Sequence, residues 1–421
     1  MSGVRRVIFI LLLTALLVGS GCSAGGGTAE RKLLLIGLDG AEWSVIGPLF
    51  EQGRMPHLEA LMRSGVSCRL LSLEPKQRSP VIWTTIGTGK LPDKHGITDY
   101  VDPTSKRFLT SNVRTARMFW DVLGERGFTV TVIGWLVSWP AEEVYGSMVT
   151  DYFRYRPRED LRTDRLTYPE ELADEIGPLR VLSEEIADEE VERFYDLDNA
   201  MTGEEAQRLD VDRMFVEMRA INQLESNIHQ LKDHYAGDAT FVAVAEYLME
   251  ARPTEVTVVY LRGIDSMSHR FWPASFPEEV QIDVPETEIR VFGETMERYY
   301  EHADALVGDL VERFGDGATV MVCSDHGFEG PRPGRPRGGI NDHGPVGVFV
   351  ASGQGIRSGV KIGEHSVCDV TPTILALYGL PIAEDMDGRV MLDAFEDDFL
   401  RAHPIRTIAT YELTDEGEET T

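Results

Sequence analysis

Residues 76–97 read KQRSPVIWTTIGTGKLPDKHGI, and how this stretch is read decides the fold of the whole chain. An apolar run, Val66 to Leu73 (VSCRLLSL), leads in as a strand, and Ser79-Pro80 then opens a helix that ends near Gly87–Gly89. Proline is favoured at the first helical position, where its missing N–H costs nothing. That placement puts Ser79 at the N-cap, its hydroxyl over the orphan N–H groups and the positive end of the helix dipole. A hydroxyl there either caps the helix or attacks a phosphorus whose oxygens those N–H groups then hold. A plain serine cap is the commoner fate, and the stretch alone favours it.

The surrounding chain changes the balance. Lys32 to Leu38 (KLLLIGL), Glu255 to Leu261 (EVTVVYL) and Ala318 to Cys323 (ATVMVC) are apolar runs of the kind a parallel strand buried on both faces shows. Each runs straight into acidic or imidazole groups: Asp39; Asp265 and His269; Asp325 and His326. A fourth group, Asn341-Asp342-His343-Gly344, lies in a Gly/Pro/Arg loop before the strand Val346 to Ala351. Open α/β sheets bind ligands outside the carboxyl ends of their strands, so these groups are expected to converge. Asp265 and His269 are four apart and share one face of a helical turn. Any one of these groups alone is better read as a turn or a satisfied core histidine. Carboxylates and imidazoles together suit zinc, with manganese less excluded than calcium. Six such ligands and one hydroxyl are too many for one tetrahedral ion and suit a pair, as in two-metal phosphoryl chemistry with ions roughly 4 Å apart.

Helical spacing marks Trp43 to Phe50, Pro56 to Ser64, Met118 to Arg126, Thr287 to Phe314 and Val370 to Tyr378, the last stopped by Gly379. Phe128 to Trp135 and Met148 to Tyr152 read as further strands, and strand alternating with helix signals an α/β sheet. From 153 to 251 the texture turns acidic, with apolar residues such as Met214, Phe215, Met218, Ile221 and Leu224 at helical spacing. This region reads as a helical insertion without recognisable chemistry, between core segments 32–152 and 252–395 and followed by an acidic tail, 396–421, disordered at its end.

At 421 residues and 42% hydrophobic, the chain can bury a large core. The net charge of −29 argues against binding nucleic acid duplexes and makes any basic cluster conspicuous. Arg332, Arg335 and Arg337 form one such cluster just ahead of His343, expected either as a solvated loop or as a clamp on a distal anion of the substrate. Ile82 and Trp83, beside Ser79, are expected to line a wall for an organic substituent, with Lys90 as a further substrate contact.

Residues 1–21 read as a targeting segment: Arg5 and Arg6, then an apolar stretch from Val7 to Val18 too short to span a bilayer comfortably. Gly19-Ser20-Gly21-Cys22 resembles a bacterial lipobox, although Gly19 stands where leucine is usual. That resemblance implies lipidation of Cys22, a tether over 22–31 helped by Gly25-Gly26-Gly27, and placement in the cell envelope. Ser23 favours the outer over the inner membrane. Cys68, Cys323 and Cys368 remain, too few for a disulfide framework.

The chain resembles the alkaline phosphatase superfamily, on the side of the nucleotide pyrophosphatases/phosphodiesterases and related phosphohydrolases and phosphomutases. The matching pieces are LDG (38–40), RSPVIWTTIGTGKLPDKHGI (78–97), DSMSH (265–269), SDHGF (324–328), DHG (342–344), DVTPTILALYGLP (369–381) and DMDGR (385–389). The likeness implies an α/β/α sandwich with a mostly parallel central sheet. It also implies two divalent ions, zinc or else manganese, one held by Asp39, Ser79, Asp325 and His326 and the other by Asp265, His269 and His343. Ser79 would be the nucleophile, and a small phosphate ester or pyrophosphate the substrate. The nucleotide pyrophosphatases usually carry threonine there and an asparagine further on; 78–97 contains no asparagine, so nucleotide specificity is not implied. Val81 and Trp83 stand where sulfatases need other residues. The rival expectations are a phosphomonoesterase or phosphotransferase on the same site, and a lipoprotein that keeps the fold without catalysis.

Overall fold

A computed structural model describes residues 31–102, 104–155, 164–199, 211–331 and 342–412, the side chains of 211–222 excepted. The expected leader, Cys22 and the tether, the three loop arginines and the end of the tail lie outside the described residues, as do the side chains of Met214, Phe215, Met218 and Ile221.

The first twelve strands in chain order are β1 (Leu33–Leu38), β2 (Gly65–Leu71), β3 (Val130–Ile133), β4 (Gly146–Val149), β5 (Thr167–Tyr168), β6 (Val256–Leu261), β7 (Thr319–Cys323), β8 (Gly327–Phe328), β9 (His343–Gly344), β10 (Val346–Ser352), β11 (Val360–Lys361) and β12 (His365–Ser366). Ten of them form one sheet in the order β11-β2-β10-β7-β1-β6-β3-β4-β5, with β12 also on β2. β1 lies at the centre, parallel to β6 and β7, and β6-β3-β4 continue in parallel. The apolar runs show burial but not direction: β10 lies antiparallel to both β2 and β7.

The run LLLIGL has no polar side because both faces of β1 are covered. Leu34, Ile36 and Leu38 enter one core, and Leu33 and Leu35 the other. Burying each such side chain is worth about 1.5–3 kcal/mol. The first face carries α1 (Trp43–Glu51), α2 (Pro56–Ser64) and the helices Gly263–Ser275 and Thr295–Phe314. The second carries α3 (Ser79–Thr88) and the helices Phe119–Glu125 and Val370–Leu377. The result is an α/β/α sandwich with a mostly parallel sheet.

Two expectations need correction. The single helix over 287–314 is two, Glu286–Phe292 and Thr295–Phe314. The Ser275 hydroxyl supports the break, donating to the Phe292 carbonyl (3.0 Å) and accepting from the Met296 N–H (3.2 Å). The acidic region is also not purely helical: β5 extends the sheet edge antiparallel to β4. Its residues Phe153, Leu172, Ile176 and Phe194 share the core of Ile36 and Leu38. The long helix Val211–Ala251 closes that region, and among the described residues no helix is long and apolar enough to cross a membrane. Cys68, Cys323 and Cys368 are buried free thiols.

Candidate metal centre

Three parallel strands end side by side, and each delivers its ligands at its carboxyl end. β1 stops at Asp39 because Gly40 turns the chain at φ +71°, a conformation that favours glycine. β6 leads through Arg262 into the helix Gly263–Ser275, which carries Asp265 and His269 one turn apart. β7 leads to Asp325 and His326. The ribbon β8–β9 then folds back, pairing Phe328 with His343 and bringing the second loop histidine over the first. The rings of His326 and His343 stack with centroids 3.6 Å apart.

Ser79 is the first residue of α3, with Arg78 at the N-cap and Pro80 second, so the expected N-cap position moves by one. The Ser79 hydroxyl caps nothing. Oγ lies 3.2 Å from His326 Nε2 and 3.4 Å from Asp39 Oδ1. His326 Nε2 is in turn 3.4 Å from both Asp39 Oδ1 and Asp325 Oδ2. Beside this quartet, Asp265 Oδ1, His269 Nε2 and His343 Nε2 stand 3.2, 3.3 and 3.6 Å from one another. The two groups adjoin, since His326 Nε2 is 4.0 Å from Asp265 Oδ1.

These spacings fit a metal centre. Ligand atoms about 2.0–2.1 Å from a tetrahedral zinc lie about 3.3–3.4 Å from each other. Asp265 Oδ1 and Asp325 Oδ2 are buried without a hydrogen-bond partner, a costly arrangement unless a cation completes it. Burial and then the charge of Asp265 push the Asp39 carboxyl up; burial and then Asp39 push Asp325 well up. Burial acts on Asp265 in the same sense, but His269, His326 and His343 hold it below the usual carboxylate range. Against its own burial, His269 is pushed up to about 10 by Asp265, whereas His343 is lowered to about 2 by burial and the neighbouring His326.

The contacts that support these ligands were not anticipated by sequence reasoning. Asp39 Oδ2 accepts from the Tyr260 hydroxyl and from Trp83 Nε1 (3.3 Å), which leaves Oδ1 aimed at Ser79 and His326. With Nδ1 donating to the Gly327 carbonyl at 2.9 Å, His326 presents the Nε2 lone pair to the site. Asp342, part of the DHG piece but given no role there, backs His269, its Oδ2 3.5 Å from Nδ1. Asp238, from the region read as chemically empty, accepts from the N–H of Arg262 (3.0 Å) and of Gly263, and from Tyr299 Oη (2.9 Å). It thereby anchors the N-terminus of the helix that carries Asp265 and His269.

Three expected substrate contacts lie elsewhere. Ile82 and Trp83 are buried in the second core, and Trp83 packs edge-on against Trp135 and Tyr260. They cannot form a substrate wall: α3 is buried along its whole length and shows the site only its first turn. Lys90 lies past the far end of α3, about 15 Å from Ser79 at 1.5 Å per residue. Its Nζ is held by Asp385 (2.6 Å) and Glu412 (2.7 Å), tying down the C-terminal segment. Arg332, Arg335 and Arg337 are outside the described residues.

Residues 33–333 match the type I phosphodiesterase / nucleotide pyrophosphatase family. A stretch of 99 residues is 31% identical to the 2,3-bisphosphoglycerate-independent phosphoglycerate mutase of Cereibacter sphaeroides, covering 22% of this chain and 19% of that protein. The chain thus spans about a fifth of the curated relative it matches. Among solved structures, a 2-O GAG sulfatase, BT1596, superposes with TM-score 0.54 at 10% identity over 87% of this chain and 75% of that one. Murine ectonucleotide pyrophosphatase / phosphodiesterase 5, as an inactive variant in complex with AMP, gives 0.46 at 13% identity over 83% and 95%.

Proposed function

Because the chain belongs to the type I phosphodiesterase / nucleotide pyrophosphatase family, a family of phosphoric ester hydrolases, we propose that it hydrolyses a small phosphodiester or pyrophosphate through a phosphoserine on Ser79. The observation that carries this reading is the Ser79 hydroxyl, buried at the start of a helix, capping nothing, and within 3.4 Å of both Asp39 and His326.

Asp39, Ser79, Asp325 and His326 would hold one divalent ion and Asp265, His269 and His343 the other, zinc or else manganese. When bound, the ions supply the positive charge that favours Ser79 as alkoxide and stabilises the leaving oxygen. Ser79 Oγ attacks phosphorus in line; the Oγ–P bond forms as the bond to the leaving oxygen breaks. The N-terminal end of α3 would face the phosphoryl oxygens with the positive end of its dipole. Water then displaces Oγ from the phosphoserine, releasing phosphate monoester and restoring the hydroxyl. A second reading, transfer of the phosphoryl group from Ser79 to an alcohol, is favoured by the partial likeness to a phosphoglycerate mutase.

A panel of aryl monoesters, bis-aryl diesters and pyrophosphates, with and without an acceptor alcohol, separates these readings. The diesters are expected to turn over faster than the monoesters, since a surface of net −29 repels a dianionic monoester more than a monoanionic diester. A clear monoester preference would overturn the diester assignment, and phosphorylated alcohol as main product would favour the transferase.

The enzyme is further proposed to be lipid-anchored through Cys22 in a bacterial envelope, facing outward or into the periplasm. Cys22→Ser is expected to move the protein from the membrane to the soluble fraction on cell fractionation. Equal partitioning of both forms would remove the anchor.

A further inference from the structure

Next to the metal centre, at the carboxyl ends of β3, β4 and β6, lies a cavity of about 360 Å³. Tyr260 connects the two: its ring lines the cavity and its hydroxyl donates to Asp39. Tyr100, Leu136, Tyr155 and Phe241 make the walls largely aromatic and apolar. Two arginines are among its lining residues, Arg154 and Arg262.

We propose that this cavity binds the part of the substrate that is not cleaved, and that Arg154 and Arg262 hold a second oxyanion on it. The proposal rests on the phosphoryl-transfer reading of the centre and adds the substrate class: a phosphate ester with a distal phosphate or carboxylate on an organic linker.

The arginines are unusual in this chain. Its net charge is −29, yet among the described residues neither Arg154 nor Arg262 has a carboxylate within ion-pair distance. Both donate instead to one phenol oxygen, Tyr155 Oη, Arg262 through Nη1 at 3.3 Å. Arg262 Nε is buried without a partner. Two guanidinium groups converge on one phenol oxygen; the buried Asp238 acts on Arg154 and Asp265 on Arg262 only from beyond ion-pair distance, so a bound oxyanion would give both a direct partner, and the guanidinium fork suits carboxylate and phosphate alike. The one acid lining the cavity, Asp151, is tied to Ser138 Oγ at 3.2 Å, and burial pushes it up to about 7.

The position of Arg154 also has structural provision. Gly237 sits inside the long helix Val211–Ala251, where glycine weakens the helix. A Cβ there would come within 1.7 Å of Arg154 Nη1, so only glycine leaves room for the guanidinium. The volume is on the scale of small-ligand sites, enough for a linker and a second anion. A simple monoester would leave the cavity and its charge unfilled.

The test uses the full, zinc-loaded protein and three p-nitrophenyl phosphodiesters whose second substituent ends in a carboxylate, a phosphate or a methyl ester. In wild type, KM for the anionic probes is expected to lie at least about tenfold below that for the methyl ester, the scale of a charge-assisted hydrogen bond. The ratio should collapse in Arg154→Gln/Arg262→Gln. It should also collapse in Gly237→Ala, which displaces the arginine without removing its charge and decides the matter if the double variant misfolds. The carboxylate and phosphate probes report which oxyanion is preferred. Calorimetric titration of Ser79→Ala with the matched non-hydrolysable phosphonates makes the same comparison without turnover. Anion preference in binding with no turnover of any ester would retain the subsite and remove the hydrolase. Turnover with equal KM for all three probes in wild type, or an unchanged ratio in the folded variants, would overturn the subsite and leave the hydrolase standing.

Discussion

Ser79→Ala is expected to lower kcat by at least about a thousandfold while the protein keeps its fold, because the change removes the nucleophile and nothing nearby replaces it. Thr84, Thr85 and Thr88 are the other hydroxyls of α3, and each is turned back onto a carbonyl of its own helix. The stability cost should be small, about 1 kcal/mol or less. Had the hydroxyl capped the helix, the loss would have come from an exposed N–H. Here Oγ makes only long contacts, 3.2 and 3.4 Å, to groups that crowd one another without it. Thermal melts and turnover measured together therefore separate the two roles. Stopping wild type with acid during turnover and mapping the phosphopeptide should place the phosphoryl group on Ser79. Retained activity in the variant, or a phosphoryl group trapped on another residue, would move the nucleophile.

Much of this site was legible because its ligands come directly after strands that are apolar without interruption. LLLIGL, TVVYL and TVMVC have no polar side to hide, so they read as central strands, and the acidic and imidazole groups at their ends had to lie at the sheet's carboxyl edge. Pro56–Ser64 is visible to the residue because proline marks its start. Other features carry no local signal. Strand direction is invisible in an apolar run, and β10 turned out antiparallel. β5 is two residues long, too short for a periodicity. Tyr260 reads as a plain strand residue and Trp83 as part of a substrate wall, yet each spends its one polar atom on Asp39. Arg154 and Gly237 are 83 positions apart and become related only when the long helix packs against the turn Asp151–Tyr155. The region 153–251 that holds both looked empty of chemistry because its contribution, Asp238 included, is to position groups that lie elsewhere in the chain.

Loss of metal should be the other large effect, and it should divide by residue. Wild-type protein resupplied with zinc is expected to hold two ions per chain, and chelation should remove ions and activity together. Asp325→Ala strips the quartet around His326 Nε2, whereas His343→Ala strips the triangle around Asp265 Oδ1. Each should weaken one ion more than the other, by at least about a hundredfold, since even outer partners of metal ligands are worth about 10–100-fold. Asp342→Asn, which only loosens the backing of His269, should fall within that smaller range and spare the Ser79 side. Acid should empty the site as well. In the metal-free protein Asp39 is raised by burial and the charge of Asp265, and Asp325 by burial and the charge of Asp39, so protons compete for them at higher pH than for ordinary carboxylates. Metal content should accordingly fall as pH drops, starting above the usual carboxylate range. Elemental analysis of the four proteins across pH checks all of this. Stoichiometry near zero in zinc-resupplied wild type, or two ions retained in both alanine variants, would sink the assignment of the ligands.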